Sequence, residues 1–215
     1  MRADDRNWCI INQGTPPAIV MGISGKAEQL IDQSVAMQRN LPVIRRFSGG
    51  GTVVVDSNTI FVTWICNVDD IGVTCCPCKI HEWASSFYQR ALPTIGMSLR
   101  ENDYVIGEKK WGGNAQYLCK GRWLHHTSIL WDYDPEVMRS LLLPQKMPSY
   151  RQGRSHLEFL CCLSDYLPSR ESFEKGLLSA ISTHFDFKES FQHEVDEVLA
   201  RPHRKSTGIY SIHAV

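Results

Sequence analysis

Excess charge of either sign is missing from this chain of 215 residues, in which 23 lysines and arginines balance 23 aspartates and glutamates. A general nucleic-acid-binding protein would show a basic excess, so that class is disfavoured. Long apolar runs are missing too, since none approaches the roughly 20 residues that cross a bilayer. The N-terminus has two early acids and no apolar segment typical of a signal peptide. We therefore expect a soluble intracellular protein, mitochondrial or cytoplasmic, with no nucleic-acid or membrane partner.

Internal repeats, Pro/Gly/Ser-rich linkers and the paired C-x-x-C spacing of zinc modules are also absent from the sequence. Eight cysteines are present, but without a secretory signal a disulfide framework is disfavoured. Cys75, Cys76, Cys78 and His81 lie close together, and a metal site there is conceivable. The favoured interpretation is a loop that carries reduced thiols.

Short β-branched runs alternate with helical periodicities along the chain, which predicts one mixed α/β domain. Strands are predicted at 7–12, 18–23, 43–47, 52–55, 59–66, 104–106, 115–118 and 123–130. Helices are predicted at 26–38, 80–95, 136–142 and 169–185. The residues beyond 186 are polar and weakly patterned, so we predict a folded domain at 1–186 and a C-terminal tail at 187–215.

The most informative segment places Arg45 and Arg46 just before three consecutive glycines, Gly49 to Gly51. Three glycines cannot anchor a core, so a fold needs a local reason to keep them. One reason is a bound anion, with backbone N–H groups and arginine side chains donating to it. The alternative is a tight turn between two strands, with both arginines in solvent.

A second glycine-containing segment carries Asp103 and Lys110 ahead of Gly112 and Gly113. The Lys110 ammonium could bridge a carboxylate and a phosphate, and Asp103 could hold Mg²⁺. The alternative is a surface hairpin with a Gly-Gly turn and solvated lysines.

Two further segments carry cationic or titratable side chains. His125 and His126 are neighbours on a predicted strand, so they point to opposite faces and cannot chelate one metal together. The basic segment at 150–156 is either a mobile loop or an ordinary solvated turn.

The order and spacing of these segments resemble the lipoate–protein ligase A family, within the wider biotin and lipoate ligase group, over about residues 7–165. The resemblance implies a mixed central β-sheet flanked by helices. It also implies an enzyme that uses ATP and Mg²⁺ to activate lipoate or octanoate as an acyl-adenylate. The acyl group would then pass to a lysine of a lipoyl carrier domain, in a 2-oxoacid dehydrogenase subunit or a glycine-cleavage H protein.

The resemblance also implies roles for individual residues. Lys110 corresponds to the catalytic lysine that contacts the carboxylate and the α-phosphate, and Asp103 is a candidate Mg²⁺ ligand. The implied substrate- and nucleotide-binding residues are Arg45, Arg46, Ser48, Gly49, Gly50, Gly51, Asn102, Asp103, Gly112, Gly113, Asn114, His126 and Ser128. The chain departs from the family at Val55, where a histidine is common, and an initial strand and helix of the family are not matched.

Two other functions remain open at this stage. One is an ATP-independent lipoyl or octanoyl transferase, which would work through a cysteine thioester at Cys75, Cys76 or Cys78 or directly through Lys110. The other is a non-catalytic homologue, which the departure at Val55 favours.

Overall fold

The computed structural model of the protein describes residues 3–202 and 207–211. Ten strands lie within these ranges: Trp8–Gln13 (β1), Ala18–Met21 (β2), Val43–Arg45 (β3), Val53–Val55 (β4), Thr59–Asn67 (β5), Met97–Arg100 (β6), Asp103–Ile106 (β7), Lys109–Cys119 (β8), Arg122–Leu130 (β9) and Gly208–Tyr210 (β10). The helices of these ranges are Ala27–Leu30 (α1), Gln33–Gln38 (α2), Val68–Ile71 (α3), Pro77–Ala91 (α4), Pro135–Met138 (α5), His156–Phe159 (α6), Arg170–His184 (α7) and Gln192–Ala200 (α8). Short 3₁₀ turns lie at Ser149–Arg151 and Leu163–Asp165.

A six-stranded antiparallel sheet in the order β1-β5-β9-β8-β7-β6 forms the centre of the molecule. Alternate residues of β5 and β9 are buried, as expected for strands with two different faces. Helices α4 and α7 cover one face, where Ile80, Ala84 and Phe87 of α4 recur at helical spacing and are fully buried. We call this the helix face of the large sheet, and the opposite one the site face.

A smaller sheet in the order β10-β3-β2-β4 lies over the site face. Phe47, just after β3, packs edge-to-face on Tyr117 of β8, with ring centroids 5.2 Å apart. A Cβ placed on Gly50 would come within 4.0 Å of the Ala115 side chain. The glycine loop between β3 and β4 therefore lies against strand β8.

The predicted α/β fold class, a sheet flanked by helices, is confirmed. The large sheet is wholly antiparallel, and among the named strands of the described ranges β2 and β3 are the parallel neighbours. The predicted strands at 7–12 and 18–23 form, but they enter different sheets instead of pairing with each other.

Several predicted boundaries were wrong. The helix predicted at 26–38 is divided at Ile31, which makes a β-bridge to Leu141, so tertiary pairing overrides the helical pattern there. Helix α4 begins at Pro77, so the predicted cysteine loop ends in a helix start with proline in the first turn. Strands β6 and β10 and helices α3, α6 and α8 were not predicted.

The segment predicted as a tail contributes structure to the smaller sheet, because β10 pairs with β3 in antiparallel register. The division of the chain at residue 186 remains a prediction. Within 3–202 and 207–211, no helix is both long and apolar enough to span a bilayer.

Candidate active site

The glycine loop encloses the side chain of Arg46. Its Nη2 donates to the carbonyls of Gly49 and Gly51 at 2.9 and 2.8 Å, and Nη1 donates to the Val20 carbonyl at 3.3 Å. Burial lowers the pKa of Arg46 from its ordinary value. Gly50 has φ +105°, and a Cβ there would lie 2.8 Å from Arg46 Nη2, so a side chain would both strain the backbone and displace the guanidinium.

This geometry differs in detail from the predicted anion loop. Carbonyl oxygens of the loop face Arg46, whereas the prediction had backbone N–H groups facing an anion. The Nε of Arg46 is buried and has no acceptor in the described part of the chain. One donor of this guanidinium is therefore unsatisfied, which is a costly state for a buried charged group.

Arg45 and Ser48 lie apart from the Arg46 guanidinium. Arg45 donates to the Gly25 carbonyl at 3.3 Å and stacks over the ring of Tyr210, with 4.3 Å between its Cζ and the ring centroid. Ser48 is buried, and its carbonyl accepts from the Ile23 N–H at 3.1 Å. Both residues thus support the smaller sheet in this structure.

Lys110 lies within strand β8, and not on the surface loop that the sequence allowed. Its Nζ is 2.7 Å from Asp103 Oδ1, and the Tyr150 hydroxyl donates to Asp103 Oδ2 at 2.9 Å. The Lys110 side chain is 23% exposed and that of Asp103 is 12% exposed. Burial, with the adjacent Asp103 carboxylate, raises the pKa of Tyr150 and keeps its hydroxyl protonated.

A β-bulge sets the direction of Lys110. Tyr104 of β7 pairs with Gly112, while Val105 pairs with Lys110, so Trp111 is the extra residue on β8. In a regular strand, Lys110 and Gly113 would point to opposite faces, because their separation is odd. The bulge puts them on the same face: a Cβ on Gly113 would lie 3.0 Å from Lys110 Nζ.

His126 and Ser128 lie on this same site face. Across the β8–β9 ladder, Ala115 is opposite His126 and Gly113 is opposite Ser128, and opposed residues share a face. The His126 Nδ1 is hydrogen-bonded to Thr63 Oγ1 at 2.7 Å. Burial, and then the charge of Arg46, lowers the pKa of His126 to about 4. His126 is therefore neutral at physiological pH and lies within electrostatic reach of Arg46.

The helix face carries a second polar network, and this network contains Asn114. Its side-chain amide hydrogen-bonds His81 through Oδ1 and donates to the Asn102 carbonyl at 2.6 Å through Nδ2. Asn114 therefore binds the turn before Asp103 from the helix face. Asn102 contributes its backbone carbonyl to this contact. A Cβ on Gly112 would also meet this face, 3.3 Å from Tyr104 Cδ2.

His125 occupies the centre of that network, on the face opposite to His126 as strand alternation predicts. Its Nδ1 accepts from Gln116 Nε2 at 3.1 Å, and its Nε2 is 2.8 Å from the Tyr104 hydroxyl. Burial, followed by the charges of His81 and His126, lowers the pKa of His125 to about 3. His125 is thus a neutral supporting residue.

The geometry does not favour Asp103 as a Mg²⁺ ligand. Lys110 and Tyr150 each occupy one oxygen of its carboxylate. No group of three or more His, Cys, Asp or Glu residues in the described ranges could hold a metal ion, and this includes the cysteine cluster with His81. We therefore assign no step to a protein-bound metal; a nucleotide can bring Mg²⁺ on its own phosphates.

Sequence reasoning missed three residues beside Lys110. Tyr150 contacts Asp103 directly, as described above. Arg151 is buried and stacks on Phe159 at 4.7 Å, and its Nη2 has no acceptor among the residues described. Burial, then the charges of Arg151 and Lys110, lowers the pKa of His156 to about 4. The basic segment at 150–156 was the sequence signal, and its position follows from bonds to distant residues: Arg154 Nη1 donates to the Glu108 carbonyl at 3.0 Å, and the Cys161 N–H donates to the Lys110 carbonyl at 2.9 Å.

The comparison with protein families identifies the group to which this geometry belongs. The model of the lipoyl protein ligase A/B catalytic domain matches residues 2–185. The chain belongs to the lipoyl protein ligase A/B family. The resemblance inferred from the sequence motifs is therefore confirmed.

Curated relatives of this lipoyl ligase family match most of the chain. The chain is 28% identical to a Plasmodium falciparum protein named inactive lipoate–protein ligase 2, over 87% of this chain and 59% of that protein. It is 24% identical to lipoate-protein ligase A subunit 1 of Thermoplasma acidophilum, over 86% of this chain and 75% of the relative. A lipoate–protein ligase of Streptococcus pyogenes is 31% identical over 64% of this chain and 40% of its own length. The chain thus spans only part of the length of these relatives.

Solved structures of lipoyl ligases share the fold. A lipoate-protein ligase A bound with ATP superposes with a TM-score of 0.75 at 19% identity, covering 92% of this chain and 81% of the other. A putative lipoate protein ligase from T. acidophilum with bound lipoic acid gives 0.73 at 18% identity, covering 92% and 82%. A bi-partite lipoate protein ligase described with its E2 lipoyl domain, also from T. acidophilum, gives 0.72 at 19% identity, covering 90% and 78%.

Proposed function

We propose that the protein activates lipoate or octanoate with ATP as an acyl-adenylate and transfers the acyl group to a lysine of a lipoyl carrier domain. The observation that carries the proposal is that Lys110 and His126 lie on the site face, while Arg46, on the smaller sheet that covers this face, is near enough to His126 for its charge to lower the pKa of that imidazole. Two cations and a neutral imidazole there border the space between the two sheets. This charge distribution suits a ligand with an anionic phosphate and an uncharged acyl chain.

In the first step, the carboxylate of the acid attacks the α-phosphorus of ATP and pyrophosphate leaves. Negative charge accumulates on the phosphate oxygens, and we assign Lys110 and Arg46 to stabilise it. A cation in a partly buried site attracts a negative charge more strongly than it does in water, because solvent screening is reduced. Loss of one such contact typically lowers the rate by about 100- to 1000-fold.

In the second step, the amine of the carrier lysine attacks the mixed anhydride at its carbonyl carbon, and AMP leaves. Lys110 can remain on the carbonyl and phosphate oxygens and polarise the carbonyl through both steps. Asp103 and Tyr150 are positioning residues in this scheme. They hold the ammonium above Gly113 before the nucleotide arrives.

The acyl chain would lie along the site face of β5 and β9. Phe61 and His126 stack there, with ring centroids 5.3 Å apart, and Thr63 fixes the imidazole. Because His126 is neutral, this wall presents no charge to an apolar chain. The Thermoplasma ligase described with an E2 lipoyl domain supports a carrier domain of a 2-oxoacid dehydrogenase as acceptor; a glycine-cleavage H protein is the other candidate of the same kind.

A second candidate function is transfer of a preformed acyl-adenylate without its synthesis. The P. falciparum relative is named an inactive lipoate–protein ligase. In this chain, the buried Val55 occupies the position where the family commonly has a histidine. A thioester route is less well supported. The thiols named for it, Cys75, Cys76 and Cys78, lie at the start of α4, which covers the helix face of the large sheet, whereas Lys110 points to the site face.

The test is incubation of the protein with MgATP, lipoate or octanoate, and an apo lipoyl domain, followed by intact mass and pyrophosphate measurement. A ligase gives an acyl mass shift and pyrophosphate with ATP and the free acid, and it also gives the shift from presynthesised lipoyl-adenylate. A transferase gives the shift from presynthesised lipoyl-adenylate or from an acylated donor domain, but gives neither the shift nor pyrophosphate with ATP and the free acid. Absence of any shift in all arms would reject both functions. Lys110→Ala should abolish the shift, while the matched control Lys109→Ala, on an exposed neighbour, should retain it.

A further inference from the structure

Cys76 and Cys78 bring two thiols into contact at the start of helix α4. Their Sγ atoms are 2.8 Å apart. Cys76 directly precedes the helix, Pro77 is its first residue, and Cys78 lies in the first turn. Cys78 is exposed and Cys76 is half-exposed, so a small molecule can reach both sulfur atoms.

The two thiols differ in acidity. The hydrogen bond from the Cys78 thiol, with backbone N–H groups of Lys79 and Cys78, lowers the pKa of Cys76. The same thiol–thiol bond raises the pKa of Cys78. Burial raises the pKa of Cys9, Cys66 and Cys162 to about 12, so these three thiols are poor nucleophiles.

We propose that Cys76 and Cys78 form a reversible dithiol–disulfide pair, with Cys76 as the attacking thiol and Cys78 as the resolving thiol. The Cys76 thiolate attacks one sulfur of a small-molecule disulfide, forms a mixed disulfide and expels one thiolate. Cys78 then loses its proton to solvent and attacks the Cys76 sulfur, which releases the second thiol. In total, the pair gives two electrons and two protons to the disulfide, which becomes two thiols.

The neighbouring cysteine is engaged elsewhere. The Cys75 thiol donates to the carbonyls of Cys119 and Arg122 at 3.5 and 3.4 Å, and burial raises its pKa. Exposed disulfides are commonly the labile, regulatory ones, which fits a pair of contacting, accessible thiols better than it fits a structural bridge.

Two side chains of β8, Gln116 and Asn114, join the start of α4 to the backbone beside the Lys110 site. Gln116 Nε2 donates to the Pro77 carbonyl at 3.2 Å, between the two cysteines. One turn further along α4, His81 bonds Asn114, which holds the Asn102 carbonyl at 2.6 Å. Asp103 follows directly and binds Lys110. Ring closure at Cys76 and Cys78 constrains the backbone that carries the Pro77 carbonyl, so we expect oxidation to alter adenylate binding. This expectation rests on the proposed function, but the disulfide itself does not.

The test treats the reduced, full-length protein with oxidised glutathione, then quenches with acid, alkylates the remaining thiols and maps the peptides by mass spectrometry. The expected product is a Cys76–Cys78 disulfide that dithiothreitol reverses. Cys78→Ser should instead accumulate a stable glutathione adduct on Cys76, and Cys76→Ser should slow the first adduct about tenfold. Cys162→Ser is the matched control and should oxidise as the wild type does. A stable adduct on wild-type Cys76, or pairing of Cys75 with Cys119, would overturn the proposal.

A second measurement separates this proposal from the proposed function. Reduced and oxidised protein are titrated with a non-hydrolysable lipoyl-adenylate analogue. Binding that changes on oxidation in the wild type but not in the double variant Cys76→Ser/Cys78→Ser, which can form neither the disulfide nor the adduct at this pair, supports the connection to Lys110. Equal affinities with a mapped disulfide would overturn the connection alone, and no binding in either state would count against the proposed function instead.

Discussion

Replacement of Lys110 by alanine tests the chemistry and the electrostatics of the site together. The substitution removes an ammonium 2.7 Å from Asp103, whose side chain is only 12% exposed. The carboxylate keeps its hydrogen bond from Tyr150 but loses its countercharge. A buried group left without its partner costs about 1–3 kcal/mol, and in a domain of this size each kcal/mol lowers Tm by about 2–4 °C.

The activity of Lys110→Ala should fall much further than its stability. If the ammonium stabilises charge in the transition state, the rate of lipoate-dependent pyrophosphate release should drop at least about 100-fold. The double variant Lys110→Ala/Asp103→Asn separates the two effects. It removes the unpaired charge, so unfolding monitored by denaturant should return towards wild type while the activity stays lost.

Two results would refute this reasoning. Wild-type pyrophosphate release from Lys110→Ala would remove the residue from the chemistry. A double variant as unstable as the single one would show that the Asp103 charge is not the cause of the stability loss. Lys109→Ala serves as the control for both measurements.

Four residues give the remaining predictions. Gly113→Ala should displace the Lys110 ammonium and lower activity about tenfold or more, with a Tm loss no larger than that of Lys110→Ala, whereas Gly112→Ala, which faces the core, should mainly change Tm; equal activity losses would contradict the assigned faces. Arg46→Ala should weaken binding of a lipoyl-adenylate analogue about 10- to 100-fold by calorimetry, because charge-assisted hydrogen bonds are each worth about 1.5–3 kcal/mol; unchanged affinity would exclude the phosphate role. Stability should fall on acidification, because the pKa of His125 is about 3 in the folded protein against 6.5 ordinarily: its contribution is complete above pH 6.5 and is lost towards pH 3, at up to about 1.4 kcal/mol per pH unit. Denaturant unfolding at pH 7.5, 6 and 5 measures this slope, which His125→Gln should reduce; an equal slope in that variant would contradict the assignment.

The sequence was sufficient for most elements of the large sheet and its helices. The strands at 59–66 and 123–130 were predicted almost to the residue, because buried and half-buried side chains alternate along them. Some short elements were missed. Strand β10 has three residues and exists through its pairing with β3, which no local pattern reveals.

The segments that contribute to the site were predicted, but the directions and contacts of their side chains were predicted only in part. Strand alternation placed His125 and His126 on opposite faces correctly. The same rule fails for Lys110 and Gly113, because the bulge at Trp111 inverts the pattern between them. Tyr150 was also out of reach of local reasoning, since its contact with Asp103 joins residues 47 positions apart.

The pairing of β10 with β3 has a consequence for the order in which the molecule folds. The strands β6 to β9 pair with their neighbours in sequence, whereas the Phe47 N–H donates to the Thr207 side chain across 160 positions. Contacts between distant parts of a chain carry a larger loop-closure cost and form late. Strand β3, which carries Arg45, is paired with β10 through such contacts. Without β10, β3 would be an unpaired edge strand that could associate with other chains. The smaller sheet, which carries Arg45, is therefore expected to form last during folding and to unfold first under mild denaturation.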